Sequence, residues 1–504
     1  MGKSVITLKL FLILALIFLS QSIKTNAQQN IPQNSYSYLG LKNSLKSTSS
    51  DKKFTGVLNS NIEKYVPPIN NYRDWELGKH FAVSAGELAV VEFIPWAMAK
   101  WIRKWNDPSK NWANVGLKSW RNNLSSGWEY DGDAFLTNYF AHPYHGNLYF
   151  NIGRANGYDF WESIAWSFAG SAIWEEFGET YRPAFNDWIN TSVNGVTLGE
   201  ITYRLSTYVT DNTATGSKRV LTEIAGALIN PVRGVSRLLS GEVTRVFPNP
   251  EWRIPENFYL LFDAGFRQLD RSGDAIIKEG IQEGLFDFEV YYNHGFAKDL
   301  QVPFSSFYFS VSLSSGSPNL TELTAVGNLY GWPLKLKSNV SHILNISLEY
   351  DYQHNPGFVY GGTTVTPQLF SVFKLNEKLD INTILGLSLV MMGATPNDFY
   401  IDVEGRNYDF GPGIGNYFAA ALKKGIWDLV RIYYQGQWIW TQSEPSDSKH
   451  HLHVLWIDTQ YPLTSYFAVG IGGGVFWRES YYKYYENVIS KMPIAKVFFK
   501  TAIF

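Results

Sequence analysis

A group of histidine and acidic residues in the middle of the chain has the side chains that acid–base chemistry needs. His142 and His145 are three residues apart, and Glu175 and Glu179 are four apart, so each pair could share one helical face. For the histidine pair, Pro143 and Gly146 indicate a turn equally well. Asp187 follows shortly after. A histidine with a carboxylate can move a proton during cleavage of a lipid or glycan ester, or bind a metal ion. These five residues are the candidate catalytic residues.

A second set of polar residues could bind a ligand. Arg154 and Arg204 suit an anionic substrate, and Asn194 and Glu200 lie in the same region. Glu200 and Arg204 also have the i, i+4 spacing of an ordinary helical ion pair. The structural interpretation is that both sets form a satisfied hydrogen-bonded network inside aromatic-rich helices. Catalysis, metal binding and a ligand site are its alternatives.

The common signatures of enzymes and cofactor sites are not found in the sequence. The histidine and carboxylate spacing matches neither a zinc-protease helix nor a di-iron repeat, and there is no nucleophile elbow or phosphate-binding loop. We therefore predict no metal and no cofactor. His450, His451 and His453 lack an identifiable partner serine, so we expect them at a wet end of a strand.

The residues from 73 to 245 have helical periodicity and predict a helical domain. Pro95 should kink or break the first helix, and Pro231 should lie just beyond the last. Only twelve uncharged residues separate Glu162 from Glu175, too few to cross a bilayer, so that segment predicts a buried core helix. The predicted helices are Trp75–Lys104, Asp159–Glu179, Ala184–Asn194, Gly199–Tyr208 and Lys218–Ile229.

From about residue 255 to 504 the apolar period changes to two, which predicts β-strands. The segments run to about 10–12 residues with aromatics at their ends, as in strands that span a membrane. The fold class is therefore α+β, a helical domain followed by an antiparallel transmembrane barrel of about twelve strands. The predicted strands are 258–268, 285–296, 305–314, 322–333, 342–353, 362–374, 379–391, 407–421, 426–440, 450–461, 465–478 and 495–504.

The N-terminus and the composition indicate an exported protein. Residues 1–27 have the charged start, the short apolar run and the small-residue cleavage site of a signal peptide. Residues 28–72 predict a flexible linker. A net charge of -2 argues against a nucleic-acid partner. We expect the cell outer membrane as the location, its lipid as a partner, and Phe504 as a signal to the barrel-assembly machinery.

Part of the chain resembles an uncharacterised family of Gram-negative envelope proteins defined by a helical domain of unknown function. The resemblance covers about 75–245, and a barrel-like region commonly follows that domain. It implies no activity, and where members often have Pro-Ser this chain has Pro183-Ala184, so no serine role is carried over. The motif runs His142-Pro-Tyr-His-Gly146, Tyr149-Phe150, Arg154-Ala-Asn-Gly157, Ser171, Trp174-Glu175, Glu179, Asp187, Asn194-Gly195, Gly199-Glu200, Asn230-Pro231, Arg237 and Gly241.

Three functional hypotheses follow. The first is an outer-membrane barrel with a periplasmic or lumen-associated helical domain, serving envelope transport, gating or binding of a small-molecule or protein partner as yet unidentified. The second is a membrane-embedded hydrolase or metal-dependent enzyme acting on lipid or glycan. The third is a soluble exported β-protein that binds glycans through its aromatics.

Overall fold

The chain folds into two parts, a set of helices and a β-barrel. The computed structural model describes residues 78–104, 111–270, 280–294, 299–337, 339–401, 406–442 and 447–504. The expected signal peptide 1–27 and linker 28–72 lie outside the described residues.

Twelve antiparallel strands form a closed barrel in which each strand pairs with the next and β1 pairs with β12. This confirms the predicted fold class and strand count. The strands are β1 Phe258–Leu269, β2 Ile281–Tyr292, β3 Phe307–Ser314, β4 Leu320–Lys337, β5 Val340–His354, β6 Val359–Lys374, β7 Asp380–Pro396, β8 Tyr408–Lys424, β9 Trp427–Trp440, β10 Ser448–Pro462, β11 Phe467–Tyr482 and β12 Val488–Ile503.

Side chains alternate between the lumen and the outer wall along each strand. On β2, Asp287 and Glu289 line the lumen, while Phe288 and Val290 point outward. On β7, Leu387 and its neighbours at 385 and 389 point outward and are largely exposed. Polar inside and apolar outside is the arrangement of a membrane barrel, because the outer wall faces lipid.

Eight α-helices lie among the described residues between 81 and 239. Helix α1 continues into a π-helical segment at Met98–Ile102, and π-helical segments also precede α3, follow α4 and join α5 to α6. The helices are α1 Phe81–Ala97, α2 Leu117–Ser126, α3 His142–Ala155, α4 Phe160–Ile173, α5 Phe185–Ile189, α6 Gly195–Val209, α7 Gly216–Ile229 and α8 Pro231–Leu239.

The helices differ in detail from the prediction. Pro95 lies inside α1 without ending it, and the π-helical turn follows instead of a break. Pro231 does not trail a last helix but starts α8, whose N-cap Asn230 accepts a hydrogen bond from the Arg233 backbone N–H. Helices α2, α3 and α8 were not among the predicted helices. The segment from Phe185 to Val209, predicted as two helices, is continuous.

The helices pack against the outer wall of the barrel, where they form what we call the helical layer. The hydroxyl of Tyr350 donates to the carbonyl of Tyr139, and Phe135 stacks on Tyr352 with 5.4 Å between ring centroids. Tyr350 and Tyr352 alternate with the lumen residues Glu349 and Asp351, so they point outward. The expectation of a helical domain inside the lumen is therefore wrong.

The helical layer covers the wall from one rim to the other. At the rim where β1 begins, the proximal rim, the rings of Tyr208 and Phe258 are 4.4 Å apart. At the opposite, distal rim, the Asn138 side chain donates to the hydroxyl of Tyr408, the first residue of β8, over 2.7 Å. Contact over this whole height also excludes a position beneath the barrel, the other placement expected from the sequence.

The main apolar core lies between the helical layer and the wall. It joins Phe150, Ile201 and Leu205 of the helices to outward-facing strand residues such as Phe288 and Val290. The barrel thus supplies most of the buried residues in the core that holds the helices. Helix α4, predicted to be a buried core helix, is instead half-exposed, since Trp161 and Ile173 face away from the core.

Candidate functional site

His142 and Asp187, both candidate catalytic residues, meet inside the helical layer. His142 is the first residue of α3, and its Nε2 lies 3.6 Å from Oδ2 of Asp187 on α5. The other ring nitrogen, Nδ1, is 3.2 Å from the hydroxyl of Thr191. Asn186 donates to Oδ1 of Asp187 over 2.8 Å. This pair has the donors and acceptors for proton transfer, and its catalytic role stays a prediction.

The other three candidates have contacts of their own. Glu175 is buried in the π-helical turn after α4, where its Oε2 accepts the backbone N–H of Ala184 over 2.7 Å. The His145 ring stacks on Tyr149 with 4.6 Å between centroids. Glu179 is partly exposed. Within the described ranges, no group of three or more histidine, cysteine or acidic side chains is placed to hold a metal ion.

Arg154, Glu200 and Arg204 form a buried ion triad. Glu200 has a fully buried side chain, and its two carboxylate oxygens accept from Nε of Arg154 over 2.8 Å and Nε of Arg204 over 2.9 Å. Arg154 also lies over the ring of Tyr203, and Arg204 donates to the carbonyl of Pro303 in the β2–β3 connection. The triad therefore joins α3, α6 and the barrel.

Asn194, the remaining candidate ligand-binding residue, holds the helical layer to β6. Its Oδ1 accepts a hydrogen bond from the Thr363 hydroxyl over 2.8 Å. Thr363 also lies 3.4 Å from Oδ1 of Asn190, one helical turn earlier. Two of the asparagines near the candidate site thus contact the outer wall of the barrel.

The lumen contains a cavity of about 330 Å³ near the middle of the barrel, which we call the chamber. Its volume is within the range of small-molecule sites. Six carboxylate and four basic side chains line it, so that acidic groups exceed basic ones by two. They are Asp287, Glu289, Glu322, Glu349, Asp351 and Asp428 among the acids, and Arg267, Lys423, Arg431 and Lys496 among the bases.

The basic residues of the chamber have acidic partners, whereas two of its acids have only neutral partners, which are hydroxyl groups and, for Asp351, also the amide of Gln435. Lys423 is 2.7 Å from Asp428, and Arg431 is 2.8 Å from Asp458. On β5, Glu349 accepts from the hydroxyls of Ser347 and Thr364, and Asp351 accepts from Thr324 over 2.9 Å. On this side of the chamber, the carboxyl groups of Glu349 and Asp351 therefore have no basic partner among the described residues.

Two clusters of apolar side chains lie in the lumen, one on each side of the chamber. The distal cluster, on the side of the distal rim, is built around the stacked rings of Phe358 and Phe476, 4.9 Å apart. The proximal cluster contains the stacked pair Tyr259 and Tyr291. The distal cluster consists of Leu269, Phe358, Tyr360, Ile439, Leu452, Val454, Trp456, Phe476 and Ile494, and the proximal one of Tyr259, Leu261, Tyr291, Trp427, Ala468 and Ala502.

His450 is fully buried and has serine partners, which corrects two expectations from the sequence. Its Nε2 lies 2.9 Å from both Asp409 and Ser448, and its Nδ1 lies 2.9 Å from Ser480. Ser448 lies two residues before His450, and residues two apart on a strand share a face. This spacing alone could have identified Ser448 as a partner of His450. All four side chains are buried, so the cluster joins strands β8, β10 and β11 within the wall.

Comparison with known families finds one match, which lies in the helical layer. Residues 127–232 match a family described as a domain of unknown function (DUF3943). This range contains all of the candidate residues from His142 to Arg204. No curated protein sequence matches the chain.

Comparison with solved structures finds outer-membrane barrels. The NanC porin is 12% identical, with 47% of this chain and 98% of the porin covered and a TM-score of 0.22. For the KdgM porin the values are 10% identity, 47% and 98% coverage, and a TM-score of 0.23. For the toluene transporter TodX of Pseudomonas putida they are 8%, 50% and 90%, and 0.21.

Proposed function

We propose that the chain is an outer-membrane barrel that passes small, positively charged solutes through its chamber, with the two apolar clusters as gates. The chamber, with its excess of acidic side chains, is the observation that carries this function. The exposed apolar outer wall supports this location. The outward side chains of β7 to β12 that the helices do not cover are apolar, so they suit lipid and not water.

Short turns at the proximal rim support an orientation with that rim toward the periplasm. Four of the five connections at this rim are short: β4–β5 and β8–β9 contain two residues each, β10–β11 spans 463–466 and β6–β7 spans 375–379. The β2–β3 connection at the same rim is longer, at 293–306, and β7–β8 at the distal rim spans 397–407. Membrane barrels have short periplasmic turns and longer outer loops. A solute from outside would meet the distal cluster first, then the chamber, then the proximal cluster.

Selectivity for cations follows from Glu349 and Asp351. A carboxylate in a narrow, partly desolvated pathway attracts cations and repels anions over a distance of several ångströms. The chamber has no lysine or arginine opposite these two groups within ion-pair distance among the described residues. A bound cation would supply the missing positive charge.

The first test removes the distal cluster. We expect the double variant Leu452→Ala with Phe476→Ala to raise the single-channel conductance several-fold in planar bilayers, because the apolar constriction widens and becomes wetted. The matched control is Leu455→Ala with Val475→Ala, which truncates outward side chains of the same two strands. Equal conductance in wild type, variant and control would contradict gating by this cluster.

The second test concerns charge. Glu349→Gln and Asp351→Asn are added to the double variant Leu452→Ala with Phe476→Ala. We expect them to reduce the ratio of potassium to chloride permeability, which is measured as a shift in reversal potential across a salt gradient. The substitutions keep the side-chain size and one acceptor oxygen, and they replace the other carboxylate oxygen with an uncharged amide donor. An unchanged reversal potential would show that these carboxylates do not select the solute.

A further inference from the structure

Three helices of the layer, α1, α4 and α8, expose apolar side chains and bury polar ones. On α4, Trp161, Ala165, Ala169 and Ile173 form an exposed stripe at four-residue spacing. The opposite face buries serines at 163, 167 and 171. A helix of a water-soluble domain has the reverse pattern. The outward face of α4 therefore suits an apolar environment.

Helix α8 has the same inversion. Its exposed residues are Val235, Leu238 and Leu239, whereas Arg233 and Arg237 are buried. Arg237 donates to Glu223 on α7 and to Glu242, so its charge is paired within the layer. Paired charges that point inward are the arrangement expected where the surroundings cannot solvate them.

Helix α1 has the length and composition of a membrane span. Together with its π-helical turn it runs from Phe81 to Ile102 and is long and apolar enough to cross a bilayer. In its most apolar stretch of 18 residues, only 17% of the residues are buried. At 1.5 Å per residue the whole helix is roughly 33 Å long, comparable with a hydrocarbon core of about 30 Å. Its Glu87 turns inward, accepting from Ser236 over 2.6 Å and from Asn156. Every exposed residue of Phe81–Ile102 is apolar.

The packing inside the layer also resembles that of membrane helices. Gly146 on α3 and Gly195 on α6 lie so close that a Cβ on Gly146 would be 1.7 Å from the carbonyl oxygen of Thr191. Small residues at crossing points let backbones approach where lipid supplies no hydrophobic drive for association. Serines and asparagines, such as Asn151 and Asn230, hydrogen-bond between the helices.

We propose that the helical layer is embedded in the outer membrane beside the barrel, with the acyl chains of lipid covering α1, α4 and α8. The layer lies against the lipid-facing wall over the full height between the rims, so its exposed face is continuous with the exposed apolar wall of β7 to β12. The inference rests on the proposed outer-membrane location. The barrel and helices would then share one bilayer, side by side.

The test uses single cysteines, since the natural chain contains none. The full chain carries Ile94→Cys on α1, Leu238→Cys on α8, Leu387→Cys on the free wall, or Lys378→Cys in the exposed β6–β7 turn. Each is labelled with an environment-sensitive fluorophore and reconstituted in phosphatidylcholine vesicles with brominated acyl chains. Iodide serves as the aqueous quencher.

We expect labels at positions 94 and 238 to lose fluorescence to brominated lipid within about twofold of the label at 387, since all three would lie in the hydrocarbon region. The label at 378 should respond to iodide instead. Quenching by brominated lipid at 387 but not at 94 or 238 would overturn the embedded layer and leave the barrel location intact. If brominated lipid also failed to quench the label at 387, both the embedded helical layer and the outer-membrane location of the barrel would be overturned.

A second copy of the chain is the other possible cover for this face. In that case the labels at 94 and 238 would be shielded from both quenchers, and the Ile94→Cys chain would form crosslinked dimers on oxidation. That result would also overturn the proposal, because protein would then occupy the face assigned to lipid.

Discussion

Replacing Gly146 with alanine is expected to prevent α3 from packing on the start of α6 and to destabilise the helical layer. The added Cβ would lie 1.7 Å from the Thr191 carbonyl oxygen and 3.0 Å from Cα of Gly195. Both are backbone atoms, so no side chain can rotate away. Overpacking of this kind costs about 1–3 kcal/mol and sometimes more.

The barrel should still form in the Gly146→Ala variant, because its strand pairing does not include this helix crossing. We would measure the helical signal in circular dichroism and the protease sensitivity of residues 81–239, and follow the barrel by its heat-dependent migration in gels. The variant should lose helical signal at a lower temperature than wild type. If the barrel also failed to form, the layer would be a requirement for barrel folding.

Gly86→Ala is the matched control. Gly86 lies on the exposed face of α1, where no heavy atom is within 4 Å of the position that a Cβ would take. Alanine should stabilise the helix there by roughly 0.5–1 kcal/mol, because glycine loses more backbone freedom on folding. A similar loss of stability in both variants would show that the crossing of α3 and α6 is not the close contact described.

The barrel could be predicted from the sequence because one physical rule governs every strand. A lumen that holds water and a wall that faces apolar surroundings force a period of two, as in Asp287 and Glu289 against Phe288 and Val290. Several predicted strands were shorter than the observed ones. At those ends the strand continues beyond the apolar belt, where the alternation of apolar and polar side chains is weaker.

The position of the helices could not be predicted from the same pattern. Tyr350 and Tyr352 are covered by helices, whereas Leu387 and Leu389 are exposed, yet all four are apolar outward residues at two-residue spacing. The alternation of apolar and polar residues along a strand indicates which way each side chain points, but it does not indicate whether helices or lipid cover that side chain. The apolar stripe of α4 was interpreted as core for the same reason.

Of the contacts among the candidate residues, the sequence predicted one. Spacing indicated the Glu200–Arg204 pair, and the structure adds Arg154 from a helix about fifty residues earlier. The meeting of His142 with Asp187 and Thr191 depends on the close crossing of α3 and α6 at Gly146 and therefore on tertiary packing. No local pattern in the sequence encodes that crossing.

Glu200→Gln is expected to be the most destabilising single change in the ion triad. It removes the negative charge that Arg154 and Arg204 share, and leaves two buried guanidinium groups with one neutral amide between them. Loss of one partner from a buried ion pair costs about 3–5 kcal/mol. The midpoint of urea-induced loss of helical signal should fall accordingly. Glu129→Gln, which breaks the exposed pair with Arg182, should cost less than about 1 kcal/mol.

The same variant separates the structural interpretation of the triad from ligand binding. If Arg154 and Arg204 served an anionic ligand, removing Glu200 would free both guanidinium groups for it, and the variant would bind anions more tightly while staying folded. If the triad is structural, stability falls and no anion restores it. Unchanged stability together with phosphate-dependent stabilisation of the Glu200→Gln chain would therefore favour a ligand site, because a satisfied internal network has no need of an external anion.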